Sequence, residues 1–241
     1  MIFKFKGQWL KVELDDDEKA LFHNNSGYLK KRCDGLLIKP EFFNESKSVK
    51  DTYRYILSYQ KSNWQLIKPS RTPISRDFEN FEVQQKTNNI VVLLESPHRE
   101  EFTDDYNPIA PACGTTGLYF QQYFSSHVLP LLQGLGLTLD QDMEYAIILV
   151  NPVPFQTSLV AIHGSKKLQK PLRDKVWKVL YQQCASEFKC RLESYEPKVI
   201  INACTSKLKT ELNGVLSDFD VQKFSTSHPS QWFQLKPFER T

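Results

Sequence analysis

Ile90-Val-Val-Leu-Leu-Glu-Ser-Pro-His98 is the stretch of sequence that decides the fold class we predict for this chain. Five apolar residues in a row are enough for a buried strand and too few for a helix. Pro97 cannot donate a hydrogen bond to a sheet, and it restricts Ser96 to extended conformations. Open α/β sheets bind their ligands at the carboxyl ends of such strands. We therefore expect Glu95 and its neighbours to lie at a functional site.

Two later predicted strands end in the same manner. Residues 146–150 run into Asn151, and residues 221–225 are followed by Ser227-His228-Pro229-Ser230. The apolar spacing also predicts a strand at 198–203 and helices at 118–132, 171–188 and 206–216. Strands that alternate with helices are typical of a parallel α/β sheet. The sequence therefore predicts an active site assembled from strand ends.

The N-terminal part of the chain has a different pattern. Residues 1–14 alternate apolar and basic side chains, which predicts a strand or hairpin. Residues 46–60 carry apolar side chains at helical spacing and predict a helix. The polar, proline-containing residues 68–86 predict a loop. We expect residues 1–88 to be an extension of strands plus a helix, packed on a domain over 89–241.

The composition restricts the classes of function only weakly. The 241 residues include 31 Lys and Arg against 28 Asp and Glu, a formal net charge of +3. A DNA enzyme needs only a local basic face, so this charge neither requires nor excludes nucleic acid. The five cysteines are far apart, which argues against zinc, iron–sulfur and disulfide sites. Without a secretory signal or a long apolar run, we expect a cytoplasmic protein that does not bind membranes.

Four short motifs occur in order along residues 90–232. They are Glu95-Ser96-Pro97-His98-Arg99-Glu100-Glu101, Gly117-Leu118-Tyr119-Phe120, Asn151 at a strand end, and His228-Pro229-Ser230-Gln231. This order resembles the uracil-DNA glycosylase superfamily, whose motifs read G-Q-D-P-Y-H or G-E-A-P-G-x-x-E, G-L-A-F, a strand-end Asn and H-P-S-P. Each motif alone is weak because short strings recur by chance, so the resemblance depends on their order.

The resemblance implies a fold and an activity. The fold is α/β, a three-layer αβα sandwich with a central, mostly parallel four-stranded sheet plus N-terminal additions. The activity is that of a DNA glycosylase, which flips uracil or a modified pyrimidine out of DNA and hydrolyses its N-glycosidic bond. It would leave an abasic site in repair or in anti-phage defence. The implied partner is double- or single-stranded DNA, bound by a monomer without cofactor or metal.

The resemblance also implies roles for individual residues. Glu95 is the catalytic carboxylate that stabilises the cationic sugar or activates water, and His228 hydrogen-bonds the oxygen of the departing base. Substrate binding falls to six residues, of which Phe120 stacks on the base and Asn151 reads its edge: Ser96, Pro97, His98, Phe120, Asn151 and Ser230. DNA contacts are expected from Gln231, Trp232, Lys166 and Lys167.

Two positions depart from the family pattern. Ser96 stands where one branch has its catalytic aspartate, so catalysis would rest on Glu95. His98 replaces the tyrosine that excludes thymine in that branch, so we expect a pocket that admits a base larger than uracil. The Ser96 substitution also favours a second hypothesis, a non-catalytic nucleic-acid-binding or sensing protein of the same fold. A hydrolase using Ser96 or Ser230 ranks lower, since neither serine lies in a G-x-S-x-G motif.

Overall fold

The computed structural model of the protein describes residues 1–23, 33–67, 88–158, 169–234 and 239–240. The N-terminal residues form a small sheet with one helix: β1 (Ile2–Phe5), β2 (Gln8–Lys11), α1 (Asp16–His23), β3 (Cys33–Asp34) and β4 (Leu37–Ile38). The strand order is β2-β1-β4-β3. The hairpin predicted for residues 1–14 is confirmed. Its turn residues Lys6 and Gly7 have φ of 46° and 84°, as a type I′ turn requires.

The larger sheet is built from strands before, within and after the predicted core. They are β5 (Thr52–Gln60), β6 (Asn63–Ile67), β7 (Asn88–Leu93), β8 (Tyr145–Val150), β9 (Pro197–Asn202), β10 (Gln222–Ser225) and β11 (Glu239–Arg240). In the described part of the chain this sheet has seven strands, in the order β11-β10-β9-β7-β8-β5-β6. The strands β10, β9, β7 and β8 run parallel, and antiparallel strands extend both edges. The sheet is thus mixed and larger than the four-stranded sheet that the resemblance implies.

Helices cover both faces of this sheet. The first face is covered by α2 (Thr115–Tyr123), a π-helical turn (Phe124–Val128) and α3 (Leu129–Gly134), and the second by α4 (Gln169–Ser194) and α5 (Ser206–Leu216). Successive residues of β7 point to opposite faces, so Ile90 and Val92 pack in the first layer and Val91 and Leu93 in the second. Because both faces are buried, β7, β8 and β9 each contain a run of apolar residues, which made them recognisable in the sequence.

The helix predicted for residues 46–60 is wrong. Residues 52–60 form β5, which is hydrogen-bonded to β8 on one side and β6 on the other. Its β-branched and aromatic residues favour a strand. Most of its side chains are buried or half-buried on both faces, so they lack the alternation of a half-exposed strand. Asn88, where the predicted extension ends, is therefore the first residue of β7, in the same sheet as β5 and β6. The loop predicted for 68–86 falls outside the described residues.

Candidate active site

The carboxyl ends of β7, β9 and β10 lie at the same edge of the larger sheet, because these strands are parallel neighbours. A cavity of about 430 Å³ opens at this edge. Its wall is formed by the segments that leave these strands and by helix starts, including Glu95, Arg173, Thr205 and His228. Cavities of this size accept small ligands or one unit of a polymer. A cavity therefore lies at the strand ends where the sequence predicts a functional site.

The Glu95 carboxylate is held at the wall of this cavity by two donors. Arg173 Nη1 donates to Oε1 at 2.9 Å, and the backbone N–H of Thr205 donates to Oε2 at 3.0 Å. The Glu95 backbone carbonyl also accepts a hydrogen bond from Trp177 Nε1 at 2.9 Å. The Glu95 side chain is only 10% exposed, so its charge needs the opposite charge of the guanidinium. The carboxylate is therefore paired with a cation and fixed in orientation.

Arg173 is a site residue that the sequence did not reveal. Its side chain donates to Glu95, to Asp174 Oδ1 at 2.6 Å and to Thr205 Oγ1 at 3.2 Å. It lies in the first turns of α4, 78 positions from Glu95 along the chain. In the sequence it is one of several basic residues of a helix, and only the packing of α4 against the strand ends marks it.

The His228 ring is oriented by the turn in which it lies. The backbone N–H of Ser230 donates to Nδ1 at 3.3 Å, and Ser230 Oγ lies 2.9 Å from the same nitrogen. A nitrogen that accepts from a backbone amide carries no proton, so the neutral ring has its proton on Nε2. Burial lowers the pKa of His228, with Arg173 and His98 acting in the same direction and Glu95 opposing them. His228 is therefore a neutral hydrogen-bond donor at neutral pH.

Glu101 is a second carboxyl group in the wall of the cavity. It is buried, its Oε1 accepts from the backbone N–H of Ala112 at 2.9 Å, and Asn151 Nδ2 lies 3.5 Å from Oε2. Burial raises the pKa of Glu101 to about 8, although its hydrogen bonds oppose the shift. Glu101 is therefore mostly protonated at neutral pH. The motif comparison matched this residue only by position and gave it no role.

The cavity brings together seven of the residues selected from the sequence: Glu95, Ser96, Pro97, His98, His228, Ser230 and Gln231. The Ser96 hydroxyl lies 2.7 Å from Thr157 Oγ1, which fixes its position beside Glu95. The His98 side chain is about half exposed at the cavity wall, with Nδ1 3.6 Å from Glu100 Oε2. These side chains provide one ionised carboxylate, imidazoles and hydroxyls in a single cavity.

Phe120 does not line the cavity. It is fully buried, and its ring stacks on Tyr55 and Phe124 with centroid distances of 5.3 and 4.8 Å. The expected role in base stacking is inconsistent with this position, because no face of the ring is free. The motif containing Phe120 has a packing explanation, since a Cβ on Gly117 would lie 1.9 Å from the carbonyl oxygen of Ala112.

Asn151 and Trp232 are also fully buried. The Asn151 amide points toward Glu101 and does not line the cavity, so it cannot read a base edge in this structure. Trp232 donates its Nε1–H to the carbonyl oxygen of Ser227 at 2.7 Å and has no surface for a DNA contact. Both assignments are therefore corrected. Lys166 and Lys167, expected to contact DNA, lie outside the described residues.

Comparison of the chain with protein-family models, with curated proteins and with solved structures finds no match. Within the described ranges, no three His, Cys, Asp or Glu side chains are grouped closely enough to hold a metal ion. No helix in the same ranges is long and apolar enough to span a membrane. Any assignment of function therefore rests on the chemistry of the cavity and on the order of the motifs around it.

Proposed function

We propose that this protein is a DNA glycosylase that removes uracil or a modified pyrimidine from DNA by hydrolysing the N-glycosidic bond. One observation carries the proposal. The ends of two parallel strands bring an ionised carboxylate, Glu95, and a neutral imidazole, His228, into one cavity. These are the two groups that the reaction requires, and they belong to the first and last of the four ordered motifs.

In the proposed reaction the bond between C1′ and the base nitrogen breaks, and its electron pair leaves with the base. Water adds to C1′, and the proton that it loses reaches the departing base through solvent. Positive charge develops on the sugar, where the Glu95 carboxylate stabilises it. Negative charge develops on the base oxygen, where the Nε2–H of His228 donates a hydrogen bond. Each group acts on charge that is larger in the transition state than in the substrate.

Arg173 and Glu101 set the charge of the cavity. Arg173 supplies the counter-charge of Glu95, and each Glu95 oxygen retains a second lone pair that can accept from water. Glu101, protonated at neutral pH, adds little negative charge that would repel a departing anionic base. The cavity therefore holds the Glu95 carboxylate, paired with Arg173, together with the neutral donor His228, and its wall also carries Glu100. An oxocarbenium-like transition state with an anionic leaving group is stabilised by such a carboxylate and such a donor.

The same ion pair favours one alternative, a protein that binds nucleic acid without cutting it. Both Glu95 oxygens already have protein partners. The side chains expected to stack on the base and read its edge, Phe120 and Asn151, are fully buried. Under this alternative the cavity binds a base or phosphate, and Glu95 serves only to position Arg173.

An abasic-site assay separates the two proposals. Duplexes containing uracil or a phage-type modified pyrimidine are incubated with the protein in chelator and then treated with alkali, which cuts at abasic sites. We expect cleavage at one such base by the wild type, and a loss of about 10²- to 10⁴-fold in the His228→Gln variant. Glu144→Gln is the control. Glu144 is an exposed carboxylate that directly precedes β8 in the chain. Intact binding without abasic sites on any duplex would favour the alternative.

A further inference from the structure

The outward face of the N-terminal sheet carries a tryptophan and two lysines. In β1, Phe3 and Phe5 point into the core, so Ile2 and Lys4 point to solvent. The hairpin pairs Lys4 with Trp9 and Ile2 with Lys11, and β4 places Leu37 beside Ile2. Cross-strand partners lie on the same side of a sheet. We call this surface, formed by Ile2, Lys4, Trp9, Lys11 and Leu37, the Trp9 face.

The Trp9 face is unusually apolar for an exposed surface. Trp9 is 60% exposed, and Ile2 and Leu37 are 42% and 38% exposed. An exposed patch of large apolar side chains is an informative sign of a binding surface, whereas isolated exposed residues are common. Among the described residues, no aromatic ring stacks on Trp9 and no carboxylate pairs with Lys4. None of the five residues of the Trp9 face lines the cavity.

We propose that the Trp9 face binds single-stranded nucleic acid, with one base stacked on Trp9 and the adjacent phosphates held by Lys4 and Lys11. An indole ring offers a flat surface on which any base stacks, and lysines bind the backbone without reading sequence. Lys4 lies one strand spacing from Trp9, about 5 Å, and Lys11 lies two residues along β2, about 7 Å. Both ammonium groups therefore reach the phosphates on either side of one stacked base.

The acidic side chains near this face do not oppose such binding. Glu13 lies 2.7 Å from Lys11, but both side chains are well exposed, so the pair is weak and a phosphate can replace it. Asp34, on β3, is the cross-strand partner of Leu37 and lies at the opposite edge of the sheet from Trp9. Glu45 lines a shallow pocket with Lys4 but is paired with Lys50 at 3.2 Å. Lys4 and the weakly paired Lys11 are therefore available to bind a phosphate backbone.

The small sheet is fixed to the rest of the protein by its inner side. The Phe5 ring packs edge-on against Phe155, with centroids 5.2 Å apart, and Lys6 pairs with Glu187 of α4 at 2.6 Å. A strand bound on the Trp9 face is thus held to the same rigid body as the core. The inference does not depend on the glycosylase reaction, because a thymine strand without modified bases tests it.

The test measures the anisotropy of a labelled oligothymidylate of about 20 nucleotides with the full-length chain. We expect Trp9→Ala to weaken binding about 5- to 100-fold. Lys4→Ala should also weaken binding at low salt. It should reduce the decline in affinity between about 50 and 200 mM salt. Leu131→Ala, which removes an exposed apolar side chain of α3, is the control and should bind like the wild type. An oligouridylate of the same length shows whether RNA is preferred to DNA.

The proposal would be overturned if Trp9→Ala bound the oligothymidylate and the oligouridylate with the same affinity as the wild type. A dimer that forms with rising concentration and dissociates on the Trp9→Ala change, measured by light scattering, would also overturn it in favour of a second copy as occupant. Because Trp9 is largely exposed, the variant should keep the wild-type circular dichroism spectrum, so lost binding is not lost folding. Partial binding by Trp9→Phe, with a smaller ring, would support stacking.

Discussion

Replacing Glu101 by glutamine should make the protein's stability less dependent on pH. The pKa of Glu101 rises from 4.5 to about 8 on burial. A carboxyl with a raised pKa contributes stability fully below about pH 4.5, and that contribution is lost as the pH rises toward 8. Each pKa unit corresponds to about 1.4 kcal/mol, so the loss across this window is on the order of 4–5 kcal/mol. Glutamine is never charged and avoids this loss.

The variant should be tolerated because the structure offers the amide suitable partners. The glutamine oxygen can accept from the backbone N–H of Ala112, as Glu101 Oε1 does at 2.9 Å. Its NH₂ group would face Asn151, whose Oδ1 is buried without a hydrogen-bond partner in the described residues. A rotation of the Asn151 amide would place this oxygen toward the new donor. We therefore expect little destabilisation at pH 5.

The assay is urea denaturation followed by tryptophan fluorescence at pH 5 and at pH 8. The free energy of unfolding of Glu101→Gln, relative to the wild type, should increase by several kcal/mol between the two pH values. Glu100→Gln is the matched control. It removes a carboxylate from the same 3₁₀ helix (Arg99–Glu101), and the Glu100 side chain is 51% exposed. This reasoning would be refuted if the difference in free energy of unfolding between Glu101→Gln and the wild type stayed constant from pH 5 to pH 8.

Three further changes test the packing and electrostatics of the site. Gly117→Ala should lower the free energy of unfolding by at least about 1–3 kcal/mol in urea denaturation, because its Cβ meets a backbone oxygen, whereas Gly214→Ala, with open space around it, should not destabilise. Arg173→Met should cost about 3 kcal/mol or more by the same measurement, because it leaves both Glu95 and Asp174 buried without their counter-charge, and adding Glu95→Gln should restore part of the loss. Since its pKa is lowered, His228 contributes stability that is lost as the pH falls below 6.5, so His228→Gln should flatten that decline in thermal denaturation.

The sequence was sufficient to predict the central parallel strands of the sheet and the helices that cover them. Residues 90–94, 146–150 and 198–203 are apolar runs that match β7, β8 and β9 closely, and the helix predicted for 206–216 has the observed bounds. These elements are buried on a whole face or on both faces, so hydrophobicity alone identifies them. The strand at 52–60 was mistaken for a helix because its apolar residues lie on both faces and imitate helical spacing.

The site was predictable only where its residues follow strand ends. Glu95 and His228 were found because each follows a predicted strand and precedes a proline by one or two positions. Arg173 was missed because its contact with Glu95 depends on how α4 packs, which no local pattern reports. Phe120 and Asn151 were assigned from motifs, and motifs do not report whether a side chain points to the cavity or the core.

The most direct test of the central claim is single-turnover release of free base from modified duplex DNA, detected by mass spectrometry. The wild type should release the base and leave an abasic strand. Glu95→Gln and His228→Gln should each slow release by about 100-fold or more while binding the same duplex with unchanged affinity. Release at the wild-type rate by both variants, or no release by the wild type from any duplex that it binds, would contradict the assignment of these two residues to catalysis.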